Sequence, residues 1–146
     1  MGGSKCVVPK GLSPGAGGLL TGPSGYNNPQ FVMRVRQPVT ECFVVLTQNM
    51  GEGGDDDLCF IMCAVLKPEG GGKVTRRLRR PIKSEEVVKH TGAPEDQREV
   101  SLEFERLEEG YYIIMMCTYY PNEVNGFTLR VHTPKGNAVE VKPLGN

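Results

Sequence analysis

From Gln30 onward, apolar and polar side chains are arranged with a period of two. Phe31, Met33 and Val35 alternate with Val32, Arg34 and Arg36, and Pro38 ends the run. This is the pattern of a first half-buried strand. Cys42 to Thr47 and Leu58 to Leu66 are apolar at both parities, as expected of strands covered on both faces, and the first of them is placed inside its sheet. Val100, Leu102 and Phe104 alternate again with Ser101, Glu103 and Glu105. A turn at Glu108-Glu109-Gly110 leads into the apolar run Tyr111 to Met116, which is too short and too rich in β-formers for a good helix. Pro121-Asn122 and Asn125-Gly126 punctuate the next turn, before Phe127, Leu129 and Val131. Three strands joined by short polar turns predict an antiparallel meander over Arg98 to Thr133. Ala138 to Lys142 closes the chain with a short alternating strand.

Between these runs lie two glycine-rich connections, Asn49 to Asp57 and Pro68 to Gly72. The piece from Lys73 to His90 fits one or two edge strands or a short helix around Ser84–Lys89. Helical periodicity is otherwise almost absent and no internal repeat is visible. The fold class predicted is all-β, an antiparallel sandwich of about eight strands. Residues 1–25 contain eight glycines and few large apolar side chains. They cannot offset their ordering entropy by burial, so a mobile arm is expected there and the folded domain is placed at 26–143.

Composition narrows the function classes. At 146 residues the chain is one domain by the usual prior. Seventeen basic residues balance seventeen acidic ones, so no global field draws nucleic acid, and none is expected as a partner. No apolar run approaches the ~18 residues that span a bilayer, and no basic start with an apolar core marks a signal peptide. The five cysteines, Cys6, Cys42, Cys59, Cys63 and Cys117, are odd in number and include no C-x-x-C pair. Four lie in apolar strand patterns, where cysteine acts as a small hydrophobe. This favours a reducing, cytoplasmic setting over a disulfide framework.

Five short motifs occur in a particular order. Asn28-Pro29-Gln30-Phe31 opens the first strand, and Leu46-Thr47-Gln48 ends the second. Arg98-Glu99-Val100-Ser101 starts the strand before the turn, Gly110-Tyr111-Tyr112 enters the aromatic strand, and Phe127 to Val131 reads Phe-x-Leu-Arg-Val. Over about residues 17 to 133 this order resembles the C2-like domain, domain III type, that follows the protease core of calpains. Two features depart from that pattern. Met116 to Tyr120 stands where the family places a Pro-Ser-Thr-Phe-like segment. The acidic insertion before the second strand is reduced to Gln37–Glu41, while an acidic run sits one loop later. The resemblance implies a C2-like sandwich that is a non-catalytic regulatory or interaction module of a calpain-like protein. Such domains relay calcium and phospholipid signals to a protease core and bind protein partners.

The residues themselves offer three candidate sites. Asp55, Asp56 and Asp57, with Glu52 nearby, suit calcium, which takes six to eight oxygens from a bendable loop. One loop supplies too few, so Glu95, Asp96 or Glu123 would have to converge, and the affinity is expected to be weak. The other reading is a solvated negative loop that discourages edge pairing. Lys73, Arg76, Arg77, Arg79, Arg80 and Lys83 put six positive charges in eleven residues with no acid among them. They suit anionic lipid headgroups at ~1 kcal/mol each near the surface, an acidic partner protein, or pairing inside the domain. Gly2 and Cys6 approximate an acylation site, although Cys6 takes the place of the usual Ser or Thr. With it the chain would be a membrane-tethered adaptor; a further alternative is a purely structural protein–protein domain that binds neither calcium nor lipid.

Catalysis is not expected. A thiol nucleophile needs a histidine within hydrogen-bond reach, and only His90 and His132 are available. None of the cysteines has the glycine-flanked, tryptophan-adjacent setting of a calpain-type nucleophile. The expectation is therefore a monomeric, cytoplasmic module, at the membrane or cytoskeleton if its basic stretch or N-terminus takes it there.

Overall fold

A computed structural model describes residues 2–8, 26, 28–48, 60–68, 70–93, 96–118, 126–134 and 138–145, with the backbone alone at 2–8. Its strands are β1 (Gly2–Val8), β2 (Gln30–Val35), β3 (Cys42–Gln48), β4 (Ile61–Leu66), β5 (Val87–His90), β6 (Glu99–Phe104), β7 (Gly110–Thr118), β8 (Phe127–Thr133) and β9 (Val139–Leu144). They form a four-stranded sheet, β1-β8-β3-β6, and a five-stranded sheet, β5-β4-β7-β2-β9. Every ladder is antiparallel. The predicted sandwich is what the chain forms, and β3 lies inside its sheet between β8 and β6, but only its alternate residues are buried, so the expected cover on both faces is not found.

The meander is not. β6 pairs with β3 in one sheet, β7 pairs with β2 and β4 in the other, and β8 returns to β3. Each polar turn in this region carries the chain across the sandwich instead of folding it back beside itself. Adjacency in sequence sets only the length of a connection. The pairing is decided by which sheet can cover an apolar strand, and β7 needs cover on both faces.

The main core lies between the sheets. Phe31, Met33 and Val35 of β2, Ile61, Cys63 and Val65 of β4, and Tyr112, Ile114 and Met116 of β7 face Cys42, Val44 and Leu46, Leu102 and Phe104, and Phe127, Leu129 and Val131 of the other sheet. Buried apolar area of this kind contributes about 25 cal/mol per Å². A second cluster lies on the far side of the five-stranded sheet, where Met62, Ala64, Leu66, Ile113, Met115 and Cys117 are buried under Ile82, Val74, Leu78 and Val87. The opposite parities of β4 and β7 therefore serve two cores, which explains why both read as continuous apolar runs.

The cover of this second core comes from the segment with uncertain sequence signals. It holds one edge strand and a short helical turn, both among the elements expected there, after an irregular run that no pattern foretold. From Lys67 to Lys83 the chain runs irregularly across the sheet, takes a short 3-10 turn at Ser84–Glu86 and then pairs as β5 on the edge of β4. Gly70 and Gly71, at φ of 90° and 59°, make the turn that starts this strap. Both angles favour residues without a Cβ.

Two buried polar side chains fasten the strap. Gln30, 2% exposed, donates from Nε2 to the carbonyls of Tyr26 and Leu78 at 2.8 and 2.9 Å and accepts from the Leu78 N–H at 2.7 Å. Its amide thus acts as a strand partner for Leu78. Glu86, whose side chain is 1% exposed, accepts two bonds from the Arg80 guanidinium at 2.7 and 2.6 Å and one from the Lys83 N–H at 3.1 Å. A buried carboxylate loses several kcal/mol of hydration, and this fork with its extra donor is what offsets the loss.

At the N-terminus, Gly2–Val8 pairs with β8 from Gly2↔Thr133 to Val8↔Phe127, where composition predicts a mobile arm. A sheet edge supplies N–H and C=O groups to any extended backbone, so ladder formation does not require apolar side chains. Residues 9–25, the rest of the expected arm, lie outside the described residues.

Gln30→Ala is expected to destabilise the protein by about 2 kcal/mol, because it leaves the Leu78 amide and carbonyl without partners under the strap. Urea denaturation checks this. A loss under about 0.5 kcal/mol would show that the strap is held by its apolar residues alone.

Candidate functional site: the basic strap

The strap divides its six positive charges between structure and surface. Val74, Leu78 and Ile82 recur every fourth residue and point to the sheet, and the side chains between them take their places from this anchoring. Arg80 is committed to Glu86. The Arg77 guanidinium donates from Nη2 to the carbonyls of Tyr26 and Asn28 at 2.8 and 3.0 Å. It thereby ties the strap to the Asn28-Pro29-Gln30-Phe31 segment that opens β2. Burial, and after it the charge of Arg79, lowers the pKa of Arg77.

Lys73, Arg76, Arg79 and Lys83 are exposed. Arg76 and Arg79 make no ion pair among the described residues. They line a surface concavity of about 740 Å³ with Thr75, Arg77 and Gly145. It is open to solvent and its wall is cationic, so its chemistry is anion binding by charge and guanidinium N–H donors.

The remaining candidates fall elsewhere. Asp55, Asp56 and Asp57, with Glu52, Glu95 and Glu123, lie outside the described residues, and Asp96 is exposed. Among the described residues no three His, Cys, Asp or Glu side chains converge as metal ligands. Gly2 and Cys6 stand on β1 opposite Thr133 and Leu129. His90 is exposed and accepts from the Gly92 N–H through Nδ1 at 2.9 Å, and His132 is half-buried on β8. Cys42, Cys63 and Cys117 are buried free thiols. Burial pushes Cys42 up to about 11 and Cys63 up to about 12. Burial, and then the nearby Cys63, raises Cys117 as well. These three are packing groups, protonated at neutral pH.

One polar cluster was not anticipated. On the outer face of the four-stranded sheet, Arg130 Nη2 reaches Glu99 Oε1 at 3.0 Å and Thr47 Oγ1 at 3.2 Å, and Thr47 donates to Glu99 at 2.9 Å. Arg98 and Thr128 lie beside them. The polar parity of β3, β6 and β8 is legible in sequence, but only the register brings these residues together. Arg130 and Glu99 pair at the surface, where such a pair contributes little, and Arg130 Nε is left buried without a hydrogen-bond partner among the described residues.

The chain is an antiparallel β-sandwich with a basic strap over one face. The chain belongs to the calpain large subunit domain III family, whose model matches residues 11–132. Domain III is a non-catalytic domain of those proteins. No curated protein matches the chain. Among solved structures, the surface-associated copper-binding protein CorA of Methylomicrobium album BG8 is similar at 10% identity, with 91% of this chain and 94% of that one covered and a TM-score of 0.54. The pre-peptidase C-terminal domain of a Bacillus anthracis collagenase aligns at 10% identity over 89% and 87%, with a TM-score of 0.48. At these identities the likeness to CorA concerns the fold alone. No described helix is long and apolar enough to cross a membrane.

The thiols give a pH prediction. Folded Cys42 and Cys63 hold their protons more tightly than the ordinary value of 9.0. Their contribution to stability is therefore full below 9.0 and is lost as pH rises through the folded values. The urea midpoint should fall on the alkaline side, and less steeply in Cys63→Val. At neutral pH the three thiols should resist a disulfide reagent until urea unfolds the chain. Fast labelling of all three in the native state would contradict their burial.

Proposed function

We propose that this chain is a non-catalytic regulatory module whose exposed strap arginines contact anionic phospholipid at a membrane surface. The reading is carried by one observation: Arg76 and Arg79, without ion pairs among the described residues, share a concavity with Arg77 and Gly145. A cation that completes an internal pair is already neutralised. These two are held out by a strap whose apolar residues are fixed beneath them. Lys73 and Lys83 extend the field at either end of the strap. An acidic protein surface, including that of a calpain-type protease core, presents related chemistry and is the alternative partner. Calcium at Asp55, Asp56 and Asp57 would add a weak, loop-based cation response, and the cytoplasmic face of a membrane is the setting proposed.

Arg76→Glu with Arg79→Glu should weaken binding to phosphatidylserine vesicles on the order of 30-fold or more, from ~1 kcal/mol per basic residue near the surface, while the urea midpoint stays put. Vesicle sedimentation measures this. Unchanged binding would remove the strap from the interface. Failure of the unsubstituted chain to bind vesicles, with binding to polyglutamate retained, would transfer the site to an acidic protein. Arg77 and Arg80 are left unsubstituted because they bond the strap to Tyr26, Asn28 and Glu86.

A separate titration with calcium, followed by amide NMR shifts, should move residues 49–57 only at about millimolar concentrations, the weak end of the range for calcium modules. A flat response there would leave the acidic run as a solvated loop.

A further inference from the structure

The concavity on the strap contains a hydroxyl as well as its arginines. Thr75 is exposed and stands there beside Arg76, Arg77 and Arg79. Its side chain makes no hydrogen bond among the described residues.

Sequence and backbone both set Thr75 apart from the other exposed hydroxyls. Lys73 lies two residues before it, Arg76 and Arg77 follow directly, and no acid occurs from Lys73 to Lys83. Thr40 and Ser84, also exposed, are each followed by a glutamate, and Ser101 is held in the β3–β6 ladder opposite Val45. The backbone from Lys73 to Arg76 belongs to no ladder and makes no backbone–backbone hydrogen bond among the described residues. A kinase must lay its acceptor into a cleft as an unpaired stretch, and charge patterns around the acceptor decide which substrates it takes. Lifting Thr75 disturbs the half-buried packing of Val74 and breaks no ladder bond.

We propose that Thr75 is a phosphoryl-acceptor site whose phosphate occupies Arg76 and Arg79, the two arginines with which the strap meets anionic lipid. The donor is a nucleoside triphosphate held by a protein kinase. Thr75 Oγ1 bonds to the γ-phosphorus, and the bond from that phosphorus to the β–γ bridging oxygen breaks. The nucleoside diphosphate leaves with the electron pair, and the hydroxyl proton passes to the kinase's base. The product carries about −1.5 to −2 charge and three acceptor oxygens at neutral pH. Arg76 and Arg79 supply two positive charges beside it, and guanidinium N–H groups match phosphate oxygens in direction. The concavity then becomes nearly neutral. Release from a membrane rests on the lipid-binding reading of the strap, whereas the capture of the phosphate by the arginines does not.

The full chain is treated with ATP and a kinase selective for basic residues on both sides of its acceptor, and peptide mapping by mass locates the phosphate. Thr75 should be modified, and Thr40 and Ser84 should not. In phosphorus NMR the phosphate should titrate below its usual second pKa of about 6, because the arginines favour the dianion. Arg79→Gln, which leaves the residues flanking Thr75 unchanged, should move the titration back toward that value. Phosphatidylserine vesicles should bind the modified chain on the order of 30-fold more weakly than the unmodified one. Kinase treatment should have no such effect on the Thr75→Ala chain.

Three results would each overturn the proposal: no phosphate at Thr75, a titration that Arg79→Gln leaves in place, or measurable vesicle binding that is equal before and after modification. If the unmodified chain binds no vesicles, it is the membrane reading that fails. A low titration restored by Arg79→Gln in that same protein still supports the phosphate site, and an unperturbed one overturns it.

Discussion

The structure depends on how the outer face of the five-stranded sheet is covered. Met62, Ala64, Leu66, Ile113, Met115 and Cys117 form a second apolar surface that a two-layer sandwich would leave in water. An irregular strap, with no ladder of its own until β5, supplies the missing layer. Its backbone groups need partners, and the Gln30 amide and the Glu86 carboxylate provide them. Once these two side chains are in place, Val74, Leu78 and Ile82 seal the sheet.

This arrangement accounts for the unusual composition of the strap. A segment that covers a core and also faces solvent must alternate anchors with solvated side chains, and here the solvated ones are mainly arginine and lysine. Arg77 and Arg80 were recruited inward because guanidinium groups satisfy carbonyls and carboxylates in fixed directions. Arg76 and Arg79 remained outside. The charge density that reads in the sequence as one basic patch is therefore two populations with different work. The Asn28-Pro29-Gln30-Phe31 segment, read first as a family signature, is the receiving end of the inward population: Asn28 offers its carbonyl to Arg77, and Gln30 holds Leu78.

The legible part of the fold was that set by local alternation. β2, β3, β4, β6, β7, β8 and β9 each have a period-two or continuous apolar pattern, and the two-faced pattern of β4 foretold cover on both sides, whereas β3, with a similar pattern, is fully buried on one face only. The candidate site was legible only as a stretch of charges, since the pairing of Arg80 and the exposure of Arg79 depend on Glu86 and on the sheet beneath. The meander over β6, β7 and β8 failed because pairing is non-local. β6 finds β3 and β7 finds β2, both distant in sequence, and periodicity carries no information about such partners. β1 was missed for a related reason. Its glycines and serine show no apolar alternation, and its place depends on an open edge formed more than a hundred residues later.

By itself the sequence determined the fold class, seven of the nine described strands in outline and the family, because side-chain alternation and short motifs are properties of neighbouring residues. The tertiary structure alone decided which strands share a sheet, that the basic segment is a strap, which arginines are tied to the domain and which stay in solvent. Those outcomes depend on burial and register, which exist only when distant parts of the chain meet.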